Sequence, residues 1–187
     1  MKNLDNINYL LNIIDEKFLY EIVNNDDISF VERAKDAKLK RIKLRGFNNC
    51  VPINQDKFTL SPKGKLFKIN GYNKTCDGVF FSIIDDKPII LVFDVKSSRN
   101  NESDHILKMK SGNNFVNYIK STLNIFWGKD FSDFKCYFCI FYPEISPKRG
   151  TSLEVDISTD PNNPSYIAVE NDAVISARKI LGLRRNF

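Results

Sequence analysis

The 187-residue sequence has one histidine, one tryptophan and two methionines, and it has no long hydrophobic run. No apolar stretch approaches the ~18 residues that a membrane span needs. The first residues lack the basic n-region and the continuous apolar segment of a signal peptide. We therefore expect a cytoplasmic protein without membrane segments. The patterns G-x-x-x-x-G-K-[ST] and G-x-G-x-x-G are also missing, which argues against the nucleotide-hydrolysing and dinucleotide sites that they mark.

The placement of the four cysteines and the single histidine does not favour the zinc and nucleophilic sites that depend on these residues. Cys136 and Cys139 form a CxxC pair, and Cys50 and Cys76 could complete four zinc thiolates. The CxxC pair, however, lies inside an apolar run without the turn of a zinc knuckle, so buried, reduced core thiols are the preferred interpretation. Nucleophilic catalysis through a histidine would have to use His105, which we predict to lie on the surface near the start of a helix.

What the chain has in quantity is apolar and aromatic side chains. Hydrophobic residues make up 42% of it and charged residues 27%, with 15 Phe and 7 Tyr. This composition excludes a disordered chain. The length fits a single domain covering 1–187, without repeats or an internal linker.

Positive charge is concentrated in one short segment. The net charge of the whole chain is +5, yet seven basic residues stand against the single acid Asp36 between positions 33 and 45. Such a stripe can neutralise phosphates and release their counterions, so it is a candidate nucleic-acid contact. The alternative is the solvated face of an ordinary helix. The basic residues are Arg33, Lys35, Lys38, Lys40, Arg41, Lys43 and Arg45.

Hydrophobic periodicity predicts an α/β fold in which a mixed central sheet, in the order α-β-β-β-α-β over about 28–142, is flanked by helices. An N-terminal helix precedes this core, and an extension over 143–187 follows it. In the third predicted helix, the expected buried stripe consists of Val116, Ile119, Leu123, Phe126 and Trp127. Residues 47–62 are predicted to be a loop. The predicted helices span 3–24, 28–44, 104–127 and 172–181, and the predicted strands span 65–69, 76–84, 89–97, 134–142, 152–157 and 166–169.

The strongest local signal is a hairpin formed by the two apolar runs on either side of residues 85–88. With a connection of four residues, Ile84 pairs with Ile89, and Asp77 then lies opposite Lys96. Because side chains alternate along a strand, Asp94 shares the face of Lys96 and Asp77. Two carboxylates and an ammonium group are therefore expected at the end of the hairpin farther from the turn.

Neighbouring carboxylates need positive charge between them, and Mg²⁺ is a usual partner of oxygen ligands. A Mg²⁺ or Mn²⁺ ion held by Asp77 and Asp94 would suit phosphodiester hydrolysis, with Lys96 acting on the attacking water or on developing charge. The alternative is that Asp94 and Lys96 only mark a strand that emerges into solvent, where Asp77 pairs with Lys96.

The arrangement of these residues resembles the core motif of the PD-(D/E)xK, restriction-endonuclease-like nuclease superfamily. Cys76 stands where the family name has proline. The resemblance implies a restriction-endonuclease-like fold, metal ligation by Asp77 and Asp94, and an active-site Lys96. It also implies an acid on the preceding helix, for which Glu32 is the best placed residue. The motif is carried by Cys76-Asp77-Gly78-Val79 and by Val92-Phe93-Asp94-Val95-Lys96-Ser97-Ser98.

The resulting expectation is a metal-dependent nuclease that acts on nucleic acid, with DNA favoured over RNA, in the bacterial or phage defence or mobile-element setting that the resemblance suggests. Glu21 is the second choice for the helix acid, and Lys108 and Lys110 are expected to reach substrate phosphates. Alternatives are a catalytically silent fold of this kind that binds nucleic acid or a partner protein, and a structural protein that assembles through its basic helix. A homodimer is also considered.

Overall fold

The computed structural model describes residues 2–23, 27–32, 37–59, 74–98, 100–144 and 157–182. Within these ranges the protein is a mixed α/β structure with two mixed sheets and four α-helices. A 3-10 helix spans Glu16–Phe18. The α-helices are α1 (Lys2–Ile13), α2 (Gln55–Thr59), α3 (Glu102–Trp127) and α4 (Ala177–Ile180). The strands are β1 (Ile22–Val23), β2 (Asp27–Val31), β3 (Arg41–Arg45), β4 (Cys50–Asn54), β5 (Gly78–Ile84), β6 (Lys87–Val95), β7 (Lys135–Pro143), β8 (Ser165–Val169) and β9 (Ala173–Ser176).

The larger sheet has five strands in the order β4-β5-β6-β7-β8. Strands β4, β5 and β6 are antiparallel, whereas β6, β7 and β8 are parallel. Since parallel neighbours need a crossover, the chain passes through the 26-residue helix α3 between β6 and β7. The predicted hairpin and the predicted helix after it are therefore both present.

The second sheet has four strands in the order β1-β2-β3-β9, and it replaces the helix predicted over 28–44. Strands β2 and β3 form an antiparallel pair. Their buried residues recur every second position, as Ile28 and Phe30 on one strand and Ile42 and Leu44 on the other. The helix prediction was wrong because a period of two is that of a strand, and the sequence analysis overlooked it.

The five-stranded sheet is the middle of three layers. On one face Val79, Phe81 and Val92 pack against α1 and α3. On the other face Phe80 and Phe93 pack against the four-stranded sheet. Both faces of the hairpin are therefore covered, one by helices and the other by the second sheet.

Other boundaries also differ from the sequence predictions. The predicted N-terminal helix ends at Ile13, because Leu19 bridges to Ile53 and the Tyr20 amide donates to the Pro52 carbonyl at 2.8 Å. The predicted loop over 47–62 contains β4 and α2, and β9 replaces the first half of the predicted last helix. The predicted strand at 65–69, and all but the last residue of that at 152–157, lie outside the described residues.

Helix α3, β7 and β8 agree with their predictions to within about two residues. The buried side of α3 includes Val116, Ile119 and Leu123, as expected, but Phe126 and Trp127 are exposed. Within the described ranges, no helix combines the length and the apolar character needed to cross a membrane.

Candidate active site

The register of the β5–β6 hairpin brings Asp77 and Asp94 together. Ile84 pairs with Lys87 and Gly78 with Phe93, so the next position on each strand is Asp77 and Asp94. The expected pairing of Asp77 with Lys96 is wrong by two positions. The turn consists only of Asp85 and Asp86, both at positive φ (49° and 61°), which is typical of a two-residue hairpin turn.

Asp77 is almost completely buried, with 7% of its surface exposed. Its Oδ2 accepts a hydrogen bond from the Val95 amide at 2.6 Å, and its backbone carbonyl accepts one from the Tyr20 hydroxyl at 2.8 Å. Burial raises the pKa of the Asp77 carboxyl well above its usual range, and the charge of Asp94 raises this pKa further. The two carboxylates are therefore electrostatic neighbours.

Asp94 is fully buried, and two lysines supply its counter-charge. Lys96 Nζ lies 2.5 Å from Asp94 Oδ2, and Lys108 Nζ lies 3.3 Å from Asp94 Oδ1. Among the described residues, Oδ2 has no hydrogen-bond donor of regular geometry, although the Lys96 charge is adjacent to it. Burial by itself lowers the pKa of Lys108, but the charge of Asp94 and a hydrogen bond to its carboxylate raise it more, so the ammonium group stays protonated.

Lys108 was predicted to reach substrate phosphates from the start of the helix after Lys96. The structure places it on the second turn of α3, facing β6, where it pairs with Asp94. Lys110, two residues further along, is exposed and does not face this cluster. The four residues Asp77, Asp94, Lys96 and Lys108 are called the Asp–Lys cluster below.

The sequence analysis missed a polar layer that α2 adds beside Asp77. Gln55 is buried, and its Oε1 accepts hydrogen bonds from the Cys76 amide at 3.1 Å and from the Cys76 thiol at 2.9 Å. Asp56 accepts a hydrogen bond from the Thr75 hydroxyl, and its charge adds to the raised pKa of Asp77. The sequence does contain a signal for this layer, namely the change from the apolar run 50–53 to polar residues. It was missed because residues 47–62 were predicted to be a loop.

His105 is buried, with 2% of its surface exposed, and the prediction of a surface histidine was wrong. It lies one turn before Lys108 on α3, and its Nδ1 is 3.3 Å from the Tyr166 hydroxyl on β8. Burial lowers the pKa of His105, and the charge of Lys96 lowers it further. The imidazole is therefore neutral at pH 7, and it lies close enough to the Asp–Lys cluster for the charges of the cluster to affect its pKa.

Glu32 was expected on a helix that precedes the sheet. It instead follows strand β2 and lines a cavity of about 190 Å³ together with Leu39, Val95 and Lys96. The structure thus brings Glu32 to the neighbourhood of Lys96, but from the second sheet. Glu21, the other candidate, is exposed in the connection before β1 and is next in sequence to Tyr20.

The described part of the basic stripe lies on strand β3 and the segment before it. Lys38, Lys40, Arg41 and Arg45 are exposed and Lys43 is half-buried, while Arg33 and Lys35 lie outside the described residues. Two of the arginines already have acidic partners. Arg45 makes two hydrogen bonds to Asp27 at 2.8 and 2.9 Å, and Arg41 lies 3.6 Å from Asp172.

All four cysteines are free thiols, and three of them are buried. Burial raises the pKa of the Cys76 and Cys139 thiols, as expected for core residues. In the described ranges, no group of three or more His, Cys, Asp and Glu side chains is arranged to hold a metal ion. The zinc alternative therefore gains no support from these residues.

Comparison with known proteins identifies no relative, since no protein-family model, no curated protein and no solved structure matches the chain.

Proposed function

We propose that the protein is a metal-dependent nuclease that hydrolyses phosphodiester bonds at the Asp–Lys cluster. The observation that carries the proposal is the placement of Asp77 and Asp94 on adjacent strand ends, both buried, with Lys96 and Lys108 beside them. Two carboxylates in a poorly solvated site repel one another, so they favour the binding of cations.

The donor set fits a magnesium or manganese ion bound through few protein ligands. Asp94 Oδ2 is a buried oxygen without a regular hydrogen bond to any described residue, and Asp77 keeps one oxygen beyond its bond to the Val95 amide. Mg²⁺ commonly takes one or two carboxylates and completes its shell with water and phosphate oxygens. Asp77 and Asp94 would hold the ion. When bound, such an ion supplies Lewis-acid charge at a phosphoryl oxygen and a more acidic water.

The lysines supply fixed positive charge where negative charge would develop on the phosphoryl group. Lys96 and Lys108 are each about one-fifth exposed, so their ammonium groups are only partly screened by water. Lys96 would position the attacking water or stabilise the developing charge, while Lys108 would orient the Asp94 carboxylate. The Val95 amide orients the Asp77 carboxylate through its hydrogen bond to Oδ2.

DNA is the favoured substrate, with the exposed basic residues around β3 as its backbone contacts. Ala37 and Leu39, which flank the exposed Lys38 before this strand, line the same cavity as Lys96. Positive charge at such a position attracts a polyanion towards the site through long-range electrostatics. We place the activity in a bacterial or phage defence or mobile-element setting.

The test is a cleavage assay with plasmid, single-stranded DNA and RNA in Mg²⁺ or Mn²⁺. The wild type is compared with Asp94→Asn and Lys96→Met, which keep the approximate size of each side chain. Lys87→Gln, an exposed residue at the opposite end of β6, is the matched control. We expect cleavage by the wild type and by the control, and a loss of at least about 100-fold in each site variant.

Binding of Mn²⁺ without nucleic acid, followed by its electron paramagnetic resonance signal, gives a second readout. Asp94→Asn should weaken this binding, whereas Lys87→Gln should not. Equal cleavage by the wild type and by both site variants would show that the activity belongs to another site or to a contaminant, and the proposal would then fail.

A second function is favoured by the charge balance at Asp94. Two lysines already neutralise this carboxylate, so the fold does not need a metal ion to keep it buried. Under this alternative the protein binds nucleic acid or a partner protein without cutting. Binding of DNA by the wild type without cleavage, and without measurable Mn²⁺ affinity, would select it.

A further inference from the structure

His105 and Tyr166 form a polar pair beside the Asp–Lys cluster, and the proposed reaction does not yet use it. His105 Nδ1 lies 3.3 Å from the Tyr166 hydroxyl, and the centroids of the two rings are 5.8 Å apart. His105 is buried, whereas Tyr166 is partly exposed on β8. Buried polar atoms need hydrogen-bond partners, and an imidazole has two nitrogens. The hydroxyl satisfies Nδ1 and leaves the second nitrogen, Nε2.

The strand register places this pair in line with Asp94. Across the parallel strands β6, β7 and β8, Asp94 is opposite Ile140, and Ile140 is opposite Tyr166. Residues in register on neighbouring strands point to the same face of a sheet, and Ile140 packs on the side that α3 covers. Tyr166 therefore lies on the same face as Asp94, at a distance of two strand spacings, or about 10 Å.

Helix α3 contacts this row of the sheet through two residues that are one turn apart. His105 contacts the Tyr166 hydroxyl, and Lys108 pairs with Asp94 at 3.3 Å. Positions three apart on a helix lie on the same side, with about 5–6 Å between their Cβ atoms. The imidazole is therefore held one helical turn from the ion pair of Lys108 and Asp94, by a helix on one side and a strand on the other.

The hydrogen bond to Tyr166 determines what Nε2 can do. Burial lowers the pKa of His105, so the imidazole is neutral and carries a hydrogen on only one of its nitrogens. When the hydroxyl donates to Nδ1, that hydrogen is on Nε2. Among the described residues Nε2 has no hydrogen-bond partner, and it is not one of the atoms that are both unpartnered and sealed from solvent. Nε2 is therefore an N–H donor that solvent, and hence a ligand, can reach.

The charges around the imidazole favour an anion as this ligand. Lys96 lowers the pKa of the imidazole more than Asp94 raises it, and Lys108 lowers this pKa more than Glu102 raises it. The combined field of these four groups at the ring is therefore positive. A hydrogen bond from an N–H group to a charged oxygen is also stronger than one to a neutral oxygen. The donor at Nε2 thus suits a phosphate oxygen.

We propose that His105 and Tyr166 form a subsite for the phosphate next to the scissile one, so that the substrate strand extends from the Asp–Lys cluster in the direction of β8. His105 Nε2–H donates a hydrogen bond to an oxygen of this phosphate, and the Tyr166 hydroxyl holds the imidazole through Nδ1. The assignment rests on the proposed nuclease function, because it defines a second contact with the same nucleic-acid strand.

NMR spectroscopy of the full chain tests the subsite directly, because the chain has a single histidine and its imidazole signals are therefore unambiguous. The Cε1–H signal is followed in EDTA at about pH 8, above the usual histidine pKa of about 6.5, during titration with a single-stranded oligothymidylate. We expect this signal to shift as the oligonucleotide binds. Thymidine, which has the base and the sugar but no phosphate, should cause no shift.

Substitutions separate a contact with the substrate from a structural role of the pair. His105→Phe and Tyr166→Phe should each weaken binding of the oligonucleotide by about tenfold, the effect of one lost hydrogen bond to a charged group. In Mg²⁺, both variants should change KM more than kcat, because the contact is present before and during the reaction. Tyr137→Phe, on the other face of β7, is the matched control and should bind as the wild type does. Circular dichroism verifies that each variant is folded.

A histidine signal that does not shift at any oligonucleotide concentration would overturn the proposal, and so would equal affinities of the wild type and both variants. A shift with inorganic phosphate but not with the oligonucleotide would indicate a site for free phosphate and would overturn the assignment to a nucleic-acid strand. Since the titration needs no divalent ion, its result is independent of cleavage. A shift without cleavage in Mg²⁺ would keep the binding site and reject the nuclease, whereas cleavage without a shift would do the reverse.

Discussion

At the residue scale, the fold keeps two acidic side chains next to each other at a site that water hardly reaches. Asp94 is the more buried, and it is balanced by Lys96 and Lys108. Within the part of the chain that the structure describes, the Val95 amide donates to the Asp77 carboxylate, and the pKa of Asp77 is raised by burial and by the charge of Asp94. Because the lysines lie beside Asp94, the repulsion between the two carboxylates chiefly disfavours the charged form of Asp77.

Asp77→Asn should therefore stabilise the protein in the absence of divalent cations, and by an amount that increases with pH. The folded-state pKa of Asp77 lies above its unfolded value of about 3.9. Wild-type stability is thus lost as the pH rises from that value towards the folded-state pKa, by about 1.4 kcal/mol per pH unit. Asparagine avoids this loss, and its Oδ1 can still accept the hydrogen bond from Val95.

Urea denaturation of the wild type and of Asp77→Asn in EDTA, across the acidic to neutral range, measures the effect. Asp86→Asn is the matched control because this residue is exposed in the β5–β6 turn. A difference between the wild type and Asp77→Asn that does not change with pH would contradict the assignment of the raised pKa.

At the scale of single elements, α3 connects the core with the candidate active site. Its first two turns carry His105, which contacts the Tyr166 hydroxyl on β8, and Lys108, which pairs with Asp94. Gly112 sits where the helix comes closest to the sheet. A Cβ atom at this position would lie 2.5 Å from Val92 Cγ1 and 2.9 Å from Cys76 Sγ. The helix can therefore approach β6 this closely only with glycine.

Gly112→Ala should lower the free energy of unfolding by about 1–3 kcal/mol, because the contacts with Val92 and Cys76 force the helix away from the sheet. This effect opposes the gain of about 1 kcal/mol that alanine brings to a helix interior. Urea denaturation gives the measurement. Asn117→Ala, on the exposed side of the same helix, should instead be slightly stabilising. A gain in stability from Gly112→Ala would show that the helix is not seated as closely as described.

The same scale shows what local sequence patterns could and could not predict. The hairpin β5–β6 and the helix α3 were predicted because each has a long and unambiguous apolar pattern. The hairpin register was wrong because the turn type decides it, and Asp85 and Asp86 are uncommon residues for two consecutive positive φ angles. The register was wrong by an even number of residues, so the prediction that Asp77 shares a face with Asp94 was unaffected.

At the scale of the whole molecule, the two sheets carry different groups of candidate functional residues. The five-stranded sheet carries Asp77 and Asp94, and the four-stranded sheet carries the described basic residues of β3 on its outer side. Phe30 and Phe93 meet between the sheets with their ring centroids 6.3 Å apart. The packing of apolar side chains thus fixes the position of the basic strand relative to the Asp–Lys cluster.

Substitutions of the basic residues on β3 should change the salt dependence of DNA binding by different amounts. The change should be smaller for a residue that already pairs with an acidic side chain. Lys43→Gln should reduce the slope of log K against log salt by about 0.9, the value for one lost contact with a duplex phosphate. Arg45→Gln should change the slope less, because both of its hydrogen bonds to Asp27 occupy the guanidinium group. Fluorescence anisotropy with labelled duplex at several salt concentrations measures the slopes.

Lys87→Gln, far from the basic strand at the turn end of β6, provides the control and should leave the slope unchanged. Equal slopes for the wild type and for Lys43→Gln would mean that the outer side of β3 does not contact DNA.

The sequence by itself determined the α/β class, the hairpin that carries Asp77 and Asp94, the helix after it and the concentration of positive charge between positions 33 and 45. These features are local, since each depends on a pattern within one or two neighbouring elements. Only the tertiary structure decided that this charge lies on a strand, that His105 is buried and that Lys108 pairs with Asp94. It also decided that Phe126 and Trp127 are exposed. These outcomes depend on which distant segments pack together, because burial and pairing across a sheet are set by contacts that sequence neighbours do not specify.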